Sequence, residues 1–241
     1  MAHRYFLDEI TGDTAFLSGQ QAQHVARVLR AKPGDILILC DGTGNDYTAE
    51  ITCTDKETVS LAIIEKTPSI SEPNIQVHLF LGYAKGDRMD WAIQKAVELG
   101  VKTITPFFSE KCVIRPAREE EKNRRFSRLC QAAAEQSGRG VIPRMNMPTS
   151  FAQMTEQASR CGTALFCYEG GGVSLRQATA CLSGNEVALI TGAEGGFTPQ
   201  EAREAEAAGH LLVGLGPRIL RCETAPIAAL AAIMSYTGNL E

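Results

Sequence analysis

"VALITGAEGGFTPQE", residues 187–201, decides how the second half of this 241-residue chain is read. Val187, Ala188, Leu189 and Ile190 are an unbroken apolar run, the pattern of a short strand buried on both faces. Thr198-Pro199-Gln200-Glu201 then offers the hydroxyl, the proline at the first helical position and the glutamate of a capping box. A strand therefore feeds a helix through Gly192-Ala193-Glu194-Gly195-Gly196-Phe197. In an open α/β sheet, the carboxyl end of a strand is where ligands bind.

Outward from that turn the same alternation continues. "IQVHLFLG" (75–82) reads as a strand, and "RMDWAIQKAVELG" (88–100) as a helix with Met89, Ala92, Ile93, Ala96 and Val97 on one face and Gly100 as its stop. "VKTITPFF" (101–108) is a strand again, and such a β-α-β unit implies parallel strands with a right-handed crossover. A helix over Glu119–Ser137 follows, with Phe126, Leu129, Cys130 and Ala133 inward. Strand "TALFCY" (163–168), a helix near Ser174–Leu182, strand "LLVGLG" (211–216) and a last helix through "APIAALAAIMSY" (225–236) complete an α/β domain with a mostly parallel sheet.

Glycine-marked turns close three of these strands: Glu169–Gly172, Gly192–Phe197 and Gly214–Pro217. If the strands are neighbours, all three turns open on one edge and form a pocket to which backbone comes close. Glycines that merely end strands are the plainer alternative. "GAEGGFT" lacks the spacing and the lysine of a phosphate-binding P-loop, and "GLGPRI" lacks the third glycine of a dinucleotide fingerprint. What remains is glycine backbone, Glu194, and "PRILRCETA" (217–225) with its two arginines and Glu223.

The first 66 residues have another rhythm. "DILILC", "DYTAEITCT" and "TVSLAII" are short β-rich runs between turn residues, as in a small antiparallel barrel, with one helix around Gly19–Arg30. "KTPSISEPN" (66–74) reads as a linker, which divides the chain into domains 1–70 and 71–241.

Composition limits the function classes. A net charge of −4 argues against indiscriminate coating of nucleic acid, but nine basic residues against four acids between Lys111 and Arg144 make a local basic patch. That patch also suits a solvated helix face with pairs such as Glu121 with Arg125. The eight cysteines contain no CxxC pair and read as buried cytosolic thiols, and no metal site is expected. No apolar stretch is long enough to span a bilayer, so a cytoplasmic protein with no membrane partner is expected. A cofactor-binding enzyme, a non-catalytic RNA-binding or ribosome-assembly factor, and a nicotinamide or nucleotide enzyme with an atypical loop all stay open on these residues.

"AIQKAVELGV", "AAAEQSGR", "ITGAEGGFTPQE" and "LGPRILRCETAPIAAL", in this order behind "QHVARVLRAKPGD", resemble the RsmE family of 16S ribosomal RNA uridine N3-methyltransferases of the SPOUT class. The resemblance covers nearly the whole chain. One departure is Ala193, where the family turn more commonly carries proline. The resemblance implies a PUA-like β-barrel domain, a SPOUT α/β domain with a C-terminal trefoil knot, a homodimer, S-adenosylmethionine as cofactor, and 16S ribosomal RNA of the small subunit as partner. Its cofactor loops fall on Tyr168; on Gly192, Glu194, Gly195 and Gly196; and on Leu215, Gly216, Ile219, Leu220, Cys222, Thr224 and Ala225.

Uridine N3 bears a proton and becomes a nucleophile as that proton leaves, with charge spreading to the flanking carbonyls. Arg221 is expected to stabilise that charge, and Glu223 to accept the proton or to aim Arg221; a structural ion pair beside a helix start is the alternative. Glu194 is expected to accept backbone N–H bonds and fix its loop, with electrostatic support of the cationic sulfonium as the alternative. Arg4, Arg27, Arg30, Lys85, Arg88, Arg115 and Arg139 are the expected phosphate contacts.

Overall fold

The computed structural model describes all residues except 1, 2, 8, 9, 11 and 56. It separates into two compact units, Met1–Glu72 with Ala134–Ile142, and Pro73–Ala133 with Pro143–Glu241.

The first unit contains β1 (Arg4–Phe6), β2 (Thr14–Ser18), α1 (Gly19–Gln23), β3 (Ile36–Cys40), β4 (Asn45–Thr54) and β5 (Thr58–Pro68). One sheet, in the order β1-β3-β4-β5-β2, holds all five strands. Period-two alternation sets its inner face: in β2, Ala15 and Leu17 are buried while Thr14, Phe16 and Ser18 face out. Leu17, Val25, Leu39, Ile51 and Leu61 form its core. Register shifts at Thr48/Ala49 and Ile51/Cys53 between β4 and β5 sharpen the twist and curl the sheet into a half-barrel. The expected antiparallel barrel is corrected in one respect, since β1 runs parallel to β3. The expected single helix also changes character: past α1 it widens to π geometry over His24–Leu29 and ends at Arg30, whose φ is +53°.

The return of Ala134–Ile142 into this unit was not legible as a boundary. Glu72 explains it. Its carboxylate receives Arg139 Nη2 at 2.6 Å, Gly140 N at 3.0 Å and Val141 N at 3.1 Å. These bonds tie a segment some sixty residues downstream to the end of the linker.

The second unit contains β6 (Gln76–Gly82), α2 (Arg88–Glu98), β7 (Thr103–Phe108), most of α3 (Glu119–Ser137), β8 (Arg144–Met145), β9 (Thr149–Ser150), α4 (Phe151–Ala158), β10 (Thr163–Cys167), β11 (Val173–Ser174), α5 (Leu175–Ala180), β12 (Glu186–Thr191), α6 (Pro199–Ala207), β13 (Leu211–Gly214) and α7 (Thr224–Tyr236). Its sheet runs β11-β13-β10-β12-β6-β7-β8, with every pairing parallel. Between β10 and β6, β12 is buried from Val187 to Thr191, as its unbroken apolar run predicts. Strand β13 lies on the far side of β10, so β10 sits between β12 and β13. The apolar face of α2 is buried as expected, and α7 packs on α5, α2, β12 and β6.

Helix α4 was missed, although Ser150 and Gln153 form a capping box and Met154 and Ala158 lie four apart on its buried side. The cysteines are corrected in part: Cys40, Cys130, Cys167 and Cys222 are buried, but Cys53 and Cys181 are exposed. Among the described residues, no group of three or more His, Cys, Asp and Glu is placed to hold a metal, and no helix is long and apolar enough to cross a membrane.

Candidate functional site

Because β13, β10 and β12 are parallel neighbours, the turns that follow them emerge on one edge of the sheet. They enclose a cavity of about 660 Å³, lined by Tyr168, Glu169 and Gly171, by Thr191 to Phe197 and by Gly214 to Glu223, together with Arg88, Cys167 and Ala225. That volume lies within the range of about 300–1,000 Å³ usual for small-molecule sites.

The middle turn is anchored at both ends. Phe197, 1% exposed, packs 4.2 Å from Phe166 and 6.1 Å from Phe107, ring centroid to centroid. Losing such a buried ring costs about 3–5 kcal/mol. Behind Phe197, the Thr198–Glu201 capping box starts α6 with Pro199 in its first turn, as the sequence indicates. The turn also lies against Gly82 at the end of β6: a Cβ there would stand 2.2 Å from Ala193 N and 2.5 Å from the Gly192 carbonyl carbon. Only a hydrogen fits. Sequence reasoning took Gly82 as a strand end and missed this contact.

Glu194 fixes the turn to a different loop. Its Oε1 accepts from the backbone N–H of Lys85 at 2.8 Å and from Arg88 Nη1 at 2.7 Å. Partial burial works to raise its pKa, but the Lys85 N–H, its own N–H and Arg88 outweigh it and hold the carboxyl below its ordinary value. Arg88 also stands 3.8 Å from Glu223 Oε2, so one guanidinium faces carboxylates from two turns. Glu223 is held low as well: burial raises it, and its own N–H, Cys222, Arg88 and Arg221 outweigh that. Burial pushes the Cys222 thiol up to about 12, where it stays protonated and donates to Glu223 Oε2 at 3.2 Å.

Of the expected cofactor residues, Tyr168, Gly192, Glu194, Gly195, Gly196, Leu215, Gly216, Ile219, Leu220, Cys222 and Ala225 line this cavity, as do Arg221 and Glu223. Thr224 does not; it opens α7. Thr191 was missed. Its side chain is fully buried at the cavity, and its Oγ1 has no hydrogen-bond partner among the described residues. A buried hydroxyl left unpaired is costly, which marks a place for a ligand's polar group. Together with two ionised carboxylates and an apolar floor, this fits a nucleoside-bearing cation such as S-adenosylmethionine. The signal for Thr191 was the hydroxyl ending an all-apolar strand.

The expected phosphate contacts divide. Arg27, Arg30, Lys85 and Arg115 are exposed, with Arg115 lying 5.0 Å over the Phe108 ring. Arg139 is corrected: it is 3% exposed and bound to Glu72, so it is not presented to a polyanion. Arg4 is corrected too, since it is committed to Asp46 at 2.5 and 2.8 Å. Arg88 is turned into the cavity rather than outward.

The RNA methyltransferase domain family matches residues 71–234, and the RNA methyltransferase PUA domain family matches residues 17–64. The chain is 33% identical over 251 residues to the ribosomal RNA small subunit methyltransferase E of Bacillus subtilis, with 98% of this chain and 97% of that protein covered. The corresponding enzyme of Neisseria gonorrhoeae, solved bound to S-adenosyl methionine, matches with a TM-score of 0.88 at 31% identity over 98% of each chain. A methyltransferase of Legionella pneumophila, solved with bound SAM, matches with a TM-score of 0.87 at 32% identity, again over 98% of each. Matched from end to end by enzymes of one kind, and by an RNA methyltransferase domain family over residues 71–234, the chain belongs to the RsmE family of RNA methyltransferases.

Proposed function

We propose that this protein methylates N3 of one uridine in the 16S ribosomal RNA of the small ribosomal subunit, with S-adenosylmethionine as methyl donor. The convergence of three turns around one cavity, with the unpaired Thr191 hydroxyl and two carboxylates inside it, carries this reading. The names and bound cofactors of the relatives support it.

When bound, S-adenosylmethionine supplies an electrophilic methyl group on a sulfonium. The backbone of Gly192 to Gly196 and of Leu215 to Leu220, with Tyr168, Cys222 and Ala225, would hold it. Arg221 is exposed at the rim of the cavity and, in this reading, stabilises the charge that develops on the uridine carbonyls as N3 loses its proton. Glu223 is ionised at neutral pH, and its lowered pKa makes it a poor acceptor for a proton as weakly acidic as that on N3. We therefore assign Glu223 to placing the nearby guanidinium groups rather than to accepting the proton. Among the exposed arginines, Arg27, Arg30 and Arg115 contact RNA phosphates, which orient the substrate without reading bases.

The finer architecture belongs to the same proposal. The first unit is the PUA-like RNA-binding domain and the second the SPOUT methyltransferase domain. A trefoil knot at the C-terminus is supported by the strand order, in which β12 and β13 fall on opposite sides of β10 before α7 returns to β12 and β6. Homodimerisation would use the side of α7 that carries the half-buried Ile227 and Ala231 and the exposed Tyr236, because Leu230 and Met234 are spent on the core. Action on small ribosomal subunits would require the protein to be in the cytoplasm.

Single-turnover transfer of labelled methyl to unmethylated small subunits, followed by nucleoside analysis, tests the proposal. N3-methyluridine is expected; label on ribose or on C5 would refute the assignment. A monomeric mass in light scattering at micromolar concentration would refute the dimer.

A further inference from the structure

The connection from β7 to α3, residues 109–118, is an irregular strap that the cofactor reading does not use. Its inner side is bound to the middle glycine turn and to the start of α6. Lys111 Nζ donates to the Phe197 carbonyl at 3.0 Å. Gly195 lies so close that a Cβ on it would stand 2.7 Å from Lys111 Cβ and 3.0 Å from Lys111 O. Glu110 N donates to Glu201 Oε1 at 2.8 Å, while the other oxygen of that buried carboxylate accepts from Thr198 N at 2.9 Å. The glutamate that caps α6 therefore also holds the strap. The outer side is open: Val113 is 74% exposed, and Arg115 and Arg118 are exposed and basic.

We propose that Lys111 is a positioning residue of the methyl-transfer site, tying the cofactor turn to a strap whose outer face meets the RNA backbone. This rests on the functional reading above. Lys111 touches neither substrate; it acts through the Phe197 carbonyl and through the flat seat that Gly195 provides for the strap. Order imposed at Arg115 by a phosphate would reach residues 195–197 through one side chain and one buried carboxylate, and by reciprocity cofactor binding would firm the strap.

The test uses the full chain with Lys111→Met, which keeps the aliphatic stem and removes the donor, and Lys111→Arg, which restores a donor. Amide hydrogen exchange without ligand is expected to be faster at residues 194–197 in Lys111→Met, where Gly196 N bonds Ala193 O in the native turn. Calorimetry with S-adenosylmethionine is expected to show Kd raised about threefold to tenfold, the effect of losing one charged hydrogen bond at a partly exposed site. The melting midpoint should hold, and Lys111→Arg should recover most of the affinity. A merely structural lysine would lower the melting midpoint and leave Kd unchanged, and that result would overturn the proposal, as would wild-type exchange and affinity in Lys111→Met. A wild-type chain that binds no S-adenosylmethionine would overturn the functional reading instead.

Discussion

Two arginine clusters in this protein use the same guanidinium–carboxylate chemistry for different ends. In the first unit Arg139, 3% exposed, is locked to Glu72 beside the Gly140 and Val141 amides. In the second, Arg88, 40% exposed, spans Glu194 and Glu223 at the cavity. Water makes the difference. A buried pair cannot be broken without stranding a charge, so it serves the fold; a half-exposed pair is screened and can rearrange around a ligand. The sign of a side chain says little about its job until its burial is known.

The contrast is broken most directly at its buried end. Arg139→Ala is expected to destabilise the protein by about 3–5 kcal/mol, as loss of one partner from a buried pair does, measured by urea unfolding. A loss below about 1 kcal/mol would put Arg139 in the class of surface pairs. At the cavity, Arg221→Ala should leave unfolding unchanged while lowering the single-turnover methyl-transfer rate by about 10²–10³, with little change in cofactor affinity. An unchanged rate would move charge stabilisation to another residue.

Arg88→Ala sharpens the comparison, because it removes the same chemistry as Arg139→Ala from a wetter place. We expect a melting midpoint close to wild type and cofactor affinity weakened about tenfold, as for one charge-assisted hydrogen bond, by calorimetry. A large fall in melting midpoint would erase the distinction. The smallest effect concerns pH. Glu194 is held below its ordinary value of 4.5, so its bonds to Lys85 N and Arg88 add stability that is present above the unfolded-state pKa and is lost as pH falls through the lower folded-state one. Glu194→Gln should therefore lower stability slightly at neutral pH and flatten the acid limb of a stability–pH curve below about pH 4.5, where wild type and variant converge.

Much of the second unit was legible because its signals are local. The period of Met89, Ala92, Ile93, Ala96 and Val97, and the Thr198–Glu201 capping box, need only a few neighbouring residues to be read, and the elements appear where those signals stand. Helix α4 carried an equally local signal in Ser150 and Gln153 and was simply overlooked. Gly82, Thr191 and the inward turn of Arg88 are another matter. Each acquires its role from a residue about a hundred positions away or from a cavity made by several strands, and no pattern along the chain encodes that.

The sequence by itself determined most of the strands, helices and turns of the α/β unit, and through four ordered motifs it determined the family, because periodicity, caps and glycine turns are properties of short segments. Only the tertiary structure decided that β10 lies between β12 and β13, which brings the three turns to one cavity, and that Glu72 recruits residues 134–142 into the first unit. It also decided which arginines face water. These outcomes depend on pairing and desolvation between distant segments, and their energies exist only once the chain has closed on itself.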